Sequence, residues 1–387
     1  MTVKVSKPAI NVREELADLR KPTGIAGEAM LRAETPQEQF NLIGAGRRRI
    51  NLNGAYQVWQ RGTSATTVSD GLFLADRFKL FEGTDGSFTT ERSTDAPEGF
   101  GYSNKLQVTT ADTSLASGNY VQYVHYLEGQ DLQQLAYGTS SAKYVTLSFW
   151  VKSSKTGSYG LTYRKQGSAQ YPAVFIINSA NTWEKKVIVI PPLTTGSLMP
   201  NDNTIGLFLS WNLAFGSTYT NATADQWTTT NANYSTPEQV NWMDSTSNDF
   251  YITGVQLELG DTSTDFEHIS FGDQLQKCQR FFQTWGGNDA YEHLPFYVLG
   301  NGTVGNFNFG MPVEMRATPS LSTAGTWSIQ GPYGGTVYSI GSFALGNATK
   351  KVVRGDAQSL SGSIGSNTAR VFALNGLNAR FNLDAEL

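Results

Sequence analysis

Residues 144–152 read YVTLSFWVK. Val145, Leu147, Phe149 and Val151 alternate with their neighbours, and a period of two places them on one face of a β-strand. Similar runs follow through the middle of the chain: NKLQVTT (104–110), NYVQYVHYLE (119–128), YGLTYRK (159–165), YPAVFIIN (171–178), WEKKVIVI (183–190) and IGLFLSWNLAF (205–215). Each is bounded by Gly, Ser, Asn, Asp or Pro, the residues that end strands. In DFYITGVQLELG (249–260), Phe250 and Ile252 share a phase, but beyond Gly254 the apolar set moves to Val255, Leu257 and Leu259. One extra residue at a glycine marks a β-bulge. About ten such strands without a βαβ rhythm predict a two-sheet β-sandwich of jelly-roll kind.

The bulk composition agrees. At roughly 150 residues per domain, 387 residues make two or three domains. Charged residues are 16% and aromatics 12%, which excludes a disordered chain. Residues 1–49 hold nine Lys/Arg against six Asp/Glu, residues 50–285 hold 14 against 21, and residues 286–387 hold six of each. An acidic or neutral body excludes nucleic acid as the main partner, since phosphate binding needs clustered cations. The one basic run, Arg47-Arg48-Arg49, reads as a solvated linker or an interface contact. The single cysteine, Cys278, rules out an intrachain disulfide. The opening MTVKVSKPAINVREEL has no apolar leader, and no run of 18 apolar residues occurs, so synthesis in a cytosol without membrane insertion is expected.

Three domains are expected. Residues 1–49 form an arm with short helices at 12–19 and within 27–44, the last piece capped by Thr35 and closed by Gly44. Its few apolar residues bury too little surface to offset chain entropy, so the arm reads as an anchor ordered by a partner. Residues 50–285 form the sandwich, opening with a strand-like INLNGAYQVWQRGTS (50–64) and interrupted by a short helix at 129–138. A closing helix is expected over 272–285, where Leu275, Cys278, Phe282 and Trp285 recur at three or four residues. Residues 286–387 form a smaller C-terminal β-domain with dense turn glycines.

Catalytic signals are weak. Asp261, Asp265, Glu267 and Asp273 surround His268, and two carboxylates can serve as acid and base on a glycosidic bond. A connecting loop with acids near a helix N-terminus explains them more simply. The same oxygens suit calcium, but the ligand pattern at the strand end is missing, so no metal or cofactor is expected. His125, His268 and His293 lack zinc spacing. His125 shares the phase of Val121, Tyr123 and Leu127, which makes it a core or groove residue. Cys278 is read as packing, as are Trp59, Trp150 and Trp183. The long polar loop STYTNATADQWTTTNANYS (217–235) is different, because loops of this length inside compact domains are often functional. Tyr219, Trp227 and Tyr234 offer rings to stack on sugar C–H faces, and Asn221, Asp225 and Asn233 offer hydrogen bonds to hydroxyls. The alternative is that these rings pack the loop onto its own sheet or onto a neighbouring subunit.

INLNGAYQVWQRGTS followed by ADRF, then LSFWVKSSKTGSYGL, NTWEKKVIVIPP, ITGVQLELGDTSTDFEHISFGDQLQKCQRFFQ and the closing FNLDAEL, resembles a β-sandwich family of bacteriophage tail-fibre and structural proteins. The sandwich is also similar to carbohydrate-binding modules. GIAGEAMLRAETPQEQFNLIGAG resembles the helical segment that attaches phage fibres to a tail. The resemblance implies a non-enzymatic fibre in the virion tail, assembled in the host cytoplasm as a homotrimer. Residues 1–49 would dock on adaptor or portal-proximal tail proteins. The β-domains would bind host surface polysaccharide or lipopolysaccharide. A purely structural tail or capsid decoration, a glycan-degrading spike and a cellular carbohydrate-binding module are the alternatives.

Overall fold

The computed structural model describes residues 25–33, 39, 49–167, 169–230, 234–287, 293–330, 336–346, 348–365, 369–374 and 379–387. The chain divides into two compact units, Met1–Arg48 and Arg49–Leu387. In the first, helix α1 (Ile25–Arg32) begins two residues ahead of the stretch 27–44 in which two helical pieces are expected, and covers the first of them. The helix expected at 12–19 lies outside the described residues, as does all but Gln39 of the piece at 35–44.

The second unit is built on antiparallel strands, and the predicted sandwich is present. Sheet A runs β1 (Ser64–Ala65), β4 (Ser87–Ser93), β5 (Ser103–Thr110), β12 (Asp249–Leu259), β7 (Val145–Ser153), β10 (Glu184–Ile190). Sheet B runs β2 (Leu72–Phe73), β3 (Phe78–Gly83), β6 (Tyr120–Glu128), β11 (Ile205–Phe215), β8 (Gly157–Lys165), β9 (Ala169–Ile177). The chain crosses repeatedly between the sheets, as jelly-roll layouts do. Val145, Leu147, Phe149 and Val151 all point inward and are fully buried. Phe149 meets Trp211 of β11 edge-on at 5.6 Å, and Phe175 of β9 at 5.2 Å, so one strand of sheet A grips two of sheet B. The short element expected at 129–138 is a 3₁₀ helix over Gly129–Leu135.

The Gly254 bulge falls where β12 changes neighbours. Residues Asp249 to Ile252 pair with β5, and the β7 register slips between Thr253 and Gln256. Gly254 has φ +63°, and a Cβ there would meet Phe100 at 2.8 Å and Trp150 at 2.9 Å. Beyond the bulge the place of β5 is taken by the stretch after Arg49. That stretch is not the strand its sequence suggests. Ile50 N–H donates to Leu257 O (2.8 Å) and Val255 N–H donates to Gly54 O (2.9 Å). Asn51 completes the pairing with its side chain, donating to Val255 O (2.9 Å) and accepting from Leu257 N–H (2.8 Å). Positive φ at Asn53 and Tyr56 (53° each) then curls the chain inward. Tyr56 stacks on Phe78 at 4.6 Å, and Trp59 is buried beside it, so the curl plugs one end of the sandwich. Arg49 is also buried: its Nη2 donates to Gln274 Oε1 (2.7 Å) and its guanidinium lies 5.0 Å from the Phe266 ring. It is no solvated linker residue.

The closing helix is shorter than expected. Helix α2 (Phe271–Gln279) starts at Ser270, whose Oγ accepts from Asp273 N–H (3.2 Å), and buries Gln274 and Cys278. The chain then straightens into β13 (Phe282–Gly286), which pairs with β22 (Arg380–Asp384), itself flanked by β16 (Ser320–Ala324). Phe282 and Trp285 therefore lie opposite Asp384 and Phe381 on a strand. The helical spacing was real, but an aromatic-rich FFQTW fits a pleated partner equally well, and the distant C-terminal strand supplies one. The other sheet of this region runs β18 (Tyr338–Ser339), β17 (Trp327–Gln330), β21 (Ala369–Leu374), β14 (His293–Asn301), β15 (Val304–Gly310), β20 (Val352–Gln358), β19 (Ser342–Leu345). Phe307, Trp327, Ile329, Phe381 and Leu383 form its separate core.

A partly buried ionic seam joins this region to the sandwich. Arg77 pairs with Glu386 and donates to Tyr126 O (2.8 Å). Arg61 reaches Asp384 (3.1 Å) and Glu386 (3.3 Å), and Arg280 forks onto Glu128 (3.1 and 3.0 Å). Such charges cost desolvation and stay only because each has a partner. Asp76, between Gln60 and Arg61, is pushed up to about 6 by burial, against the pull of Arg61.

Candidate functional site

The 217–235 loop crosses the outer face of sheet B, and the structure separates the residues singled out in it. Tyr219 and Tyr234 are together: their rings lie 5.9 Å apart, each within 6 Å of Phe215. Tyr234 is pinned by its backbone, whose carbonyl accepts from Thr162 Oγ1 (2.7 Å) and Asn212 Nδ2 (3.0 Å). Trp227 is elsewhere. Its ring packs edge-on against Tyr137, Tyr163 and Tyr171 at 5.6–6.0 Å, and Nε1 donates to Pro191 O (3.1 Å). It closes the open edge of the sandwich, where β9 and β10 end their sheets, which is the packing alternative for a loop ring. Asn221 is exposed and donates to Ser217 O (2.8 Å), within its own loop. Asp225 is exposed at φ +61°, with its N–H donating to Pro172 O (2.8 Å). Asn233 lies outside the described residues.

Tyr234 leads to a patch the sequence reading missed. Strand register sets Tyr126 (β6), Phe208 (β11) and Arg164 (β8) side by side on the outer face of sheet B. Tyr126 meets Phe208 edge-on at 5.9 Å, and the Arg164 guanidinium lies 5.5 Å from the Phe208 ring and 5.9 Å from the Tyr234 ring. Arg164 Nη1 donates to Tyr234 Oη (2.9 Å). The next row places Phe73, Lys79, Val124, Ser210 and Thr162 abreast. The Lys79 ammonium sits 5.1 Å from the Phe73 ring, 4.7 Å from Phe81 and 6.0 Å from Tyr126. Beneath them Ser210 donates to Gln122 Oε1 (3.0 Å). Burial, helped by nearby Tyr234, pushes the Tyr126 hydroxyl up to about 12, so it stays a neutral donor at physiological pH. The patch thus offers half-buried rings with hydroxyl and cationic donors around them. That combination stacks on apolar C–H faces and hydrogen-bonds oxygens at their rims.

Sheet A carries a second row on its own outer face, and it corrects two expectations. Trp150 and Trp183 are half-buried there, not in the core. Register aligns Glu91, Lys105 and Tyr251 with Lys152, and Trp183 meets Tyr251 at 6.1 Å. The charges in this row pair with one another: Lys152 with Asp95, and Lys105 with Glu91 (3.0 Å). Trp183 Nε1 donates to Asp95 (3.0 Å).

The acidic residues near His268 do not converge on one point. Glu267 accepts from Arg49 N–H (2.6 Å), Asp273 accepts from the capping Ser270 Oγ (2.7 Å), and Asp261, in an exposed turn, accepts from the neighbouring Thr262 Oγ1 (3.3 Å). Asp265 contributes its backbone carbonyl to Gln256 (3.2 Å). His268 packs on Phe100 and Phe266, and burial holds it below its usual value. Among the described residues no group of three or more His, Cys, Asp or Glu is placed to hold a metal. His125 is a core residue whose ring lies tilted against Phe78 at 4.6 Å, kept neutral by burial, with Nδ1 lacking a hydrogen-bond partner among the described residues. The His293 side chain lies outside the description. Cys278 is fully buried, and burial raises its thiol well above the usual range, as suits a packing residue.

No family model matches the chain, and no curated protein matches it. Solved structures similar to it include a family 11 carbohydrate-binding module from Clostridium thermocellum in complex with a β-1,3-1,4-mixed-linked tetrasaccharide. The identity is 14%, over 54% of this chain and 99% of that one, with a TM-score of 0.26. The enzymatically active domain of tailspike protein 4 from bacteriophage CBA120 is 13% identical over 50% of this chain and 21% of that one, with a TM-score of 0.27. The N-terminal cellulose-binding domain of Cellulomonas fimi β-1,4-glucanase C is 12% identical over 52% of this chain and 97% of that one, with a TM-score of 0.26. Likenesses at these scores carry no argument about function, which rests on the geometry above.

Proposed function

We propose that the outer face of sheet B binds a glycan and that the chain works by adhesion, not by turnover. The supporting observation is the row Tyr126–Phe208–Arg164, with Lys79 and Tyr234 on either side. Flat rings among hydroxyl and cationic donors match a sugar, which has apolar C–H faces and a polar rim. The decisive test is Phe208→Ala in the full chain. Binding to bacterial surface polysaccharide should weaken about tenfold or more, a loss of about 1.4 kcal/mol, with an unchanged melting temperature. Unchanged binding would remove this face from the reading.

The finer reading is a phage tail fibre, and it rests on the sequence resemblance. In it residues 1–49 dock on tail proteins, the chain is a homotrimer, and the ligand is host polysaccharide or lipopolysaccharide. Valency then multiplies weak contacts into firm attachment. A chain lacking residues 1–48 should still bind cells but fail to enter particles. Sedimentation giving a monomer mass at high concentration would remove the trimer.

A further inference from the structure

Arg164 does more than flank the aromatic row. It also lines a depression of about 290 Å³ at the β8–β9 hairpin, with Gln170 and Thr228, Thr229 and Thr230 around it. The far wall is built on purpose-made pairing: Thr228 N–H donates to Gln170 O (2.9 Å) and Gln170 N–H donates to Thr228 O (2.8 Å), so the loop extends β9 by one bridge. Gln170 Nε2 then donates to Thr230 O (2.9 Å), and Thr230 N–H donates to Thr228 Oγ1 (3.2 Å). The depression is therefore a built feature, lined by hydroxyls and an amide. Among the described residues lining it, Arg164 alone is charged, and none is a carboxylate.

We propose that this depression takes an acidic sugar residue, with its carboxylate on Arg164, while the neighbouring sugars of the same glycan lie on Phe208 and Tyr126. The inference rests on the glycan-binding reading of sheet B and narrows it to anionic polysaccharides. Four features support it. The volume suits one sugar ring and not an extended chain. A planar guanidinium with several N–H donors fits a carboxylate in a two-point bond. The body of the chain is acidic, with 14 Lys/Arg against 21 Asp/Glu in residues 50–285, so a cationic side chain in the lining of this depression is a local feature and not part of a general positive field. The threonines supply both donors and acceptors for the ring hydroxyls.

The test uses the full chain in affinity electrophoresis against a panel of uronic-acid-containing bacterial polysaccharides, each in native form and after carbodiimide–borohydride reduction of its carboxylates. At least one native polysaccharide should retard the protein, and its reduced form should bind about tenfold or more weakly, as expected for loss of a charge-assisted pair. Arg164→Gln should abolish that preference, so that native and reduced forms bind alike, while Arg164→Lys should restore part of it. Equal binding of native and reduced forms by the wild-type chain, or a preference for the native form that survives in Arg164→Gln, would overturn the acidic-sugar inference and leave the glycan reading standing. Retardation by no member of the panel, native or reduced, would overturn both.

Discussion

The two outer faces of the sandwich use the same ingredients in different ways. On sheet A, Lys152 and Lys105 lie near Trp183 and Tyr251, but each lysine also meets a carboxylate, Asp95 and Glu91. The row is a self-contained ladder. On sheet B, Lys79 faces three rings and makes no ion pair among the described residues. Aromatic residues beside cations do not by themselves define a binding surface. What matters is whether the polar groups already complement one another. A paired face has little to offer a ligand, because binding would have to break existing bonds.

The strongest challenge to this contrast concerns Trp227, which the sequence suggests for the binding face and the fold assigns to the sandwich edge. Trp227→Ala should lower stability by about 2–3 kcal/mol, below the roughly 3–5 of a fully buried tryptophan, as read by chemical denaturation. Any loss of glycan binding should follow the loss of folded protein. Binding that fails while stability holds would return Trp227 to the site.

The seam below sheet B gives a pH test with a defined sign. Asp76 is raised from 3.8 to about 6 in the folded state, so the native chain holds this proton more tightly than the unfolded one. Stability should therefore fall as pH rises from about 4 to 6, by about 2–3 kcal/mol from this group, and stay level above. Asp76→Asn should lack that slope. A wild-type slope of the opposite sign over this window would show that Arg61, not burial, governs the carboxylate.

Two smaller effects are expected from sheet A. Trp183→Ala should cost at most about 1 kcal/mol of stability, as half-buried surface residues do, and leave glycan binding unchanged. Weakened binding would make sheet A the functional face. Asp95 is held below 3.8 by Lys152 and Trp183, despite some desolvation. Its contribution should be fully present above the unfolded value and lost as pH falls through the folded one, a shallow acid limb that Asp95→Asn removes. The Tyr126–Phe208–Arg164 row contains no carboxylate, so it should show no matching change below pH 4.

Much of the sandwich was legible because one face of each strand is buried, and burial imposes a period of two. β7 and β12 could be read from sequence down to the bulge at Gly254. β3, β4 and β20 were missed: FKLFEG, SFTTERS and VVRGDAQ carry charges or small residues on the alternating positions. In β20 the inward residues include Gly355 and Ala357, whose small size hides the pattern. Trp150 was assigned to the core although it stands out of phase with Leu147, Phe149 and Val151. Its own strand held the signal that it faces outward. The candidate site was legible only at Tyr234. Tyr126, Phe208 and Arg164 come from three strands far apart in sequence, and each looks ordinary where it stands.

The sequence by itself determined a mainly β chain, its bulge, its packing cysteine and the apolar phase of its inner strands, because all of these follow from local periodicity and backbone sterics. Only the tertiary structure decided that residues 50–54 pair without forming a strand, that the closing helix stops at Gln279, and that Trp227 seals an edge while Phe208 and Arg164 share a face. Each of those outcomes depends on which distant strand comes alongside, and strand register is fixed by long-range packing, not by neighbouring residues.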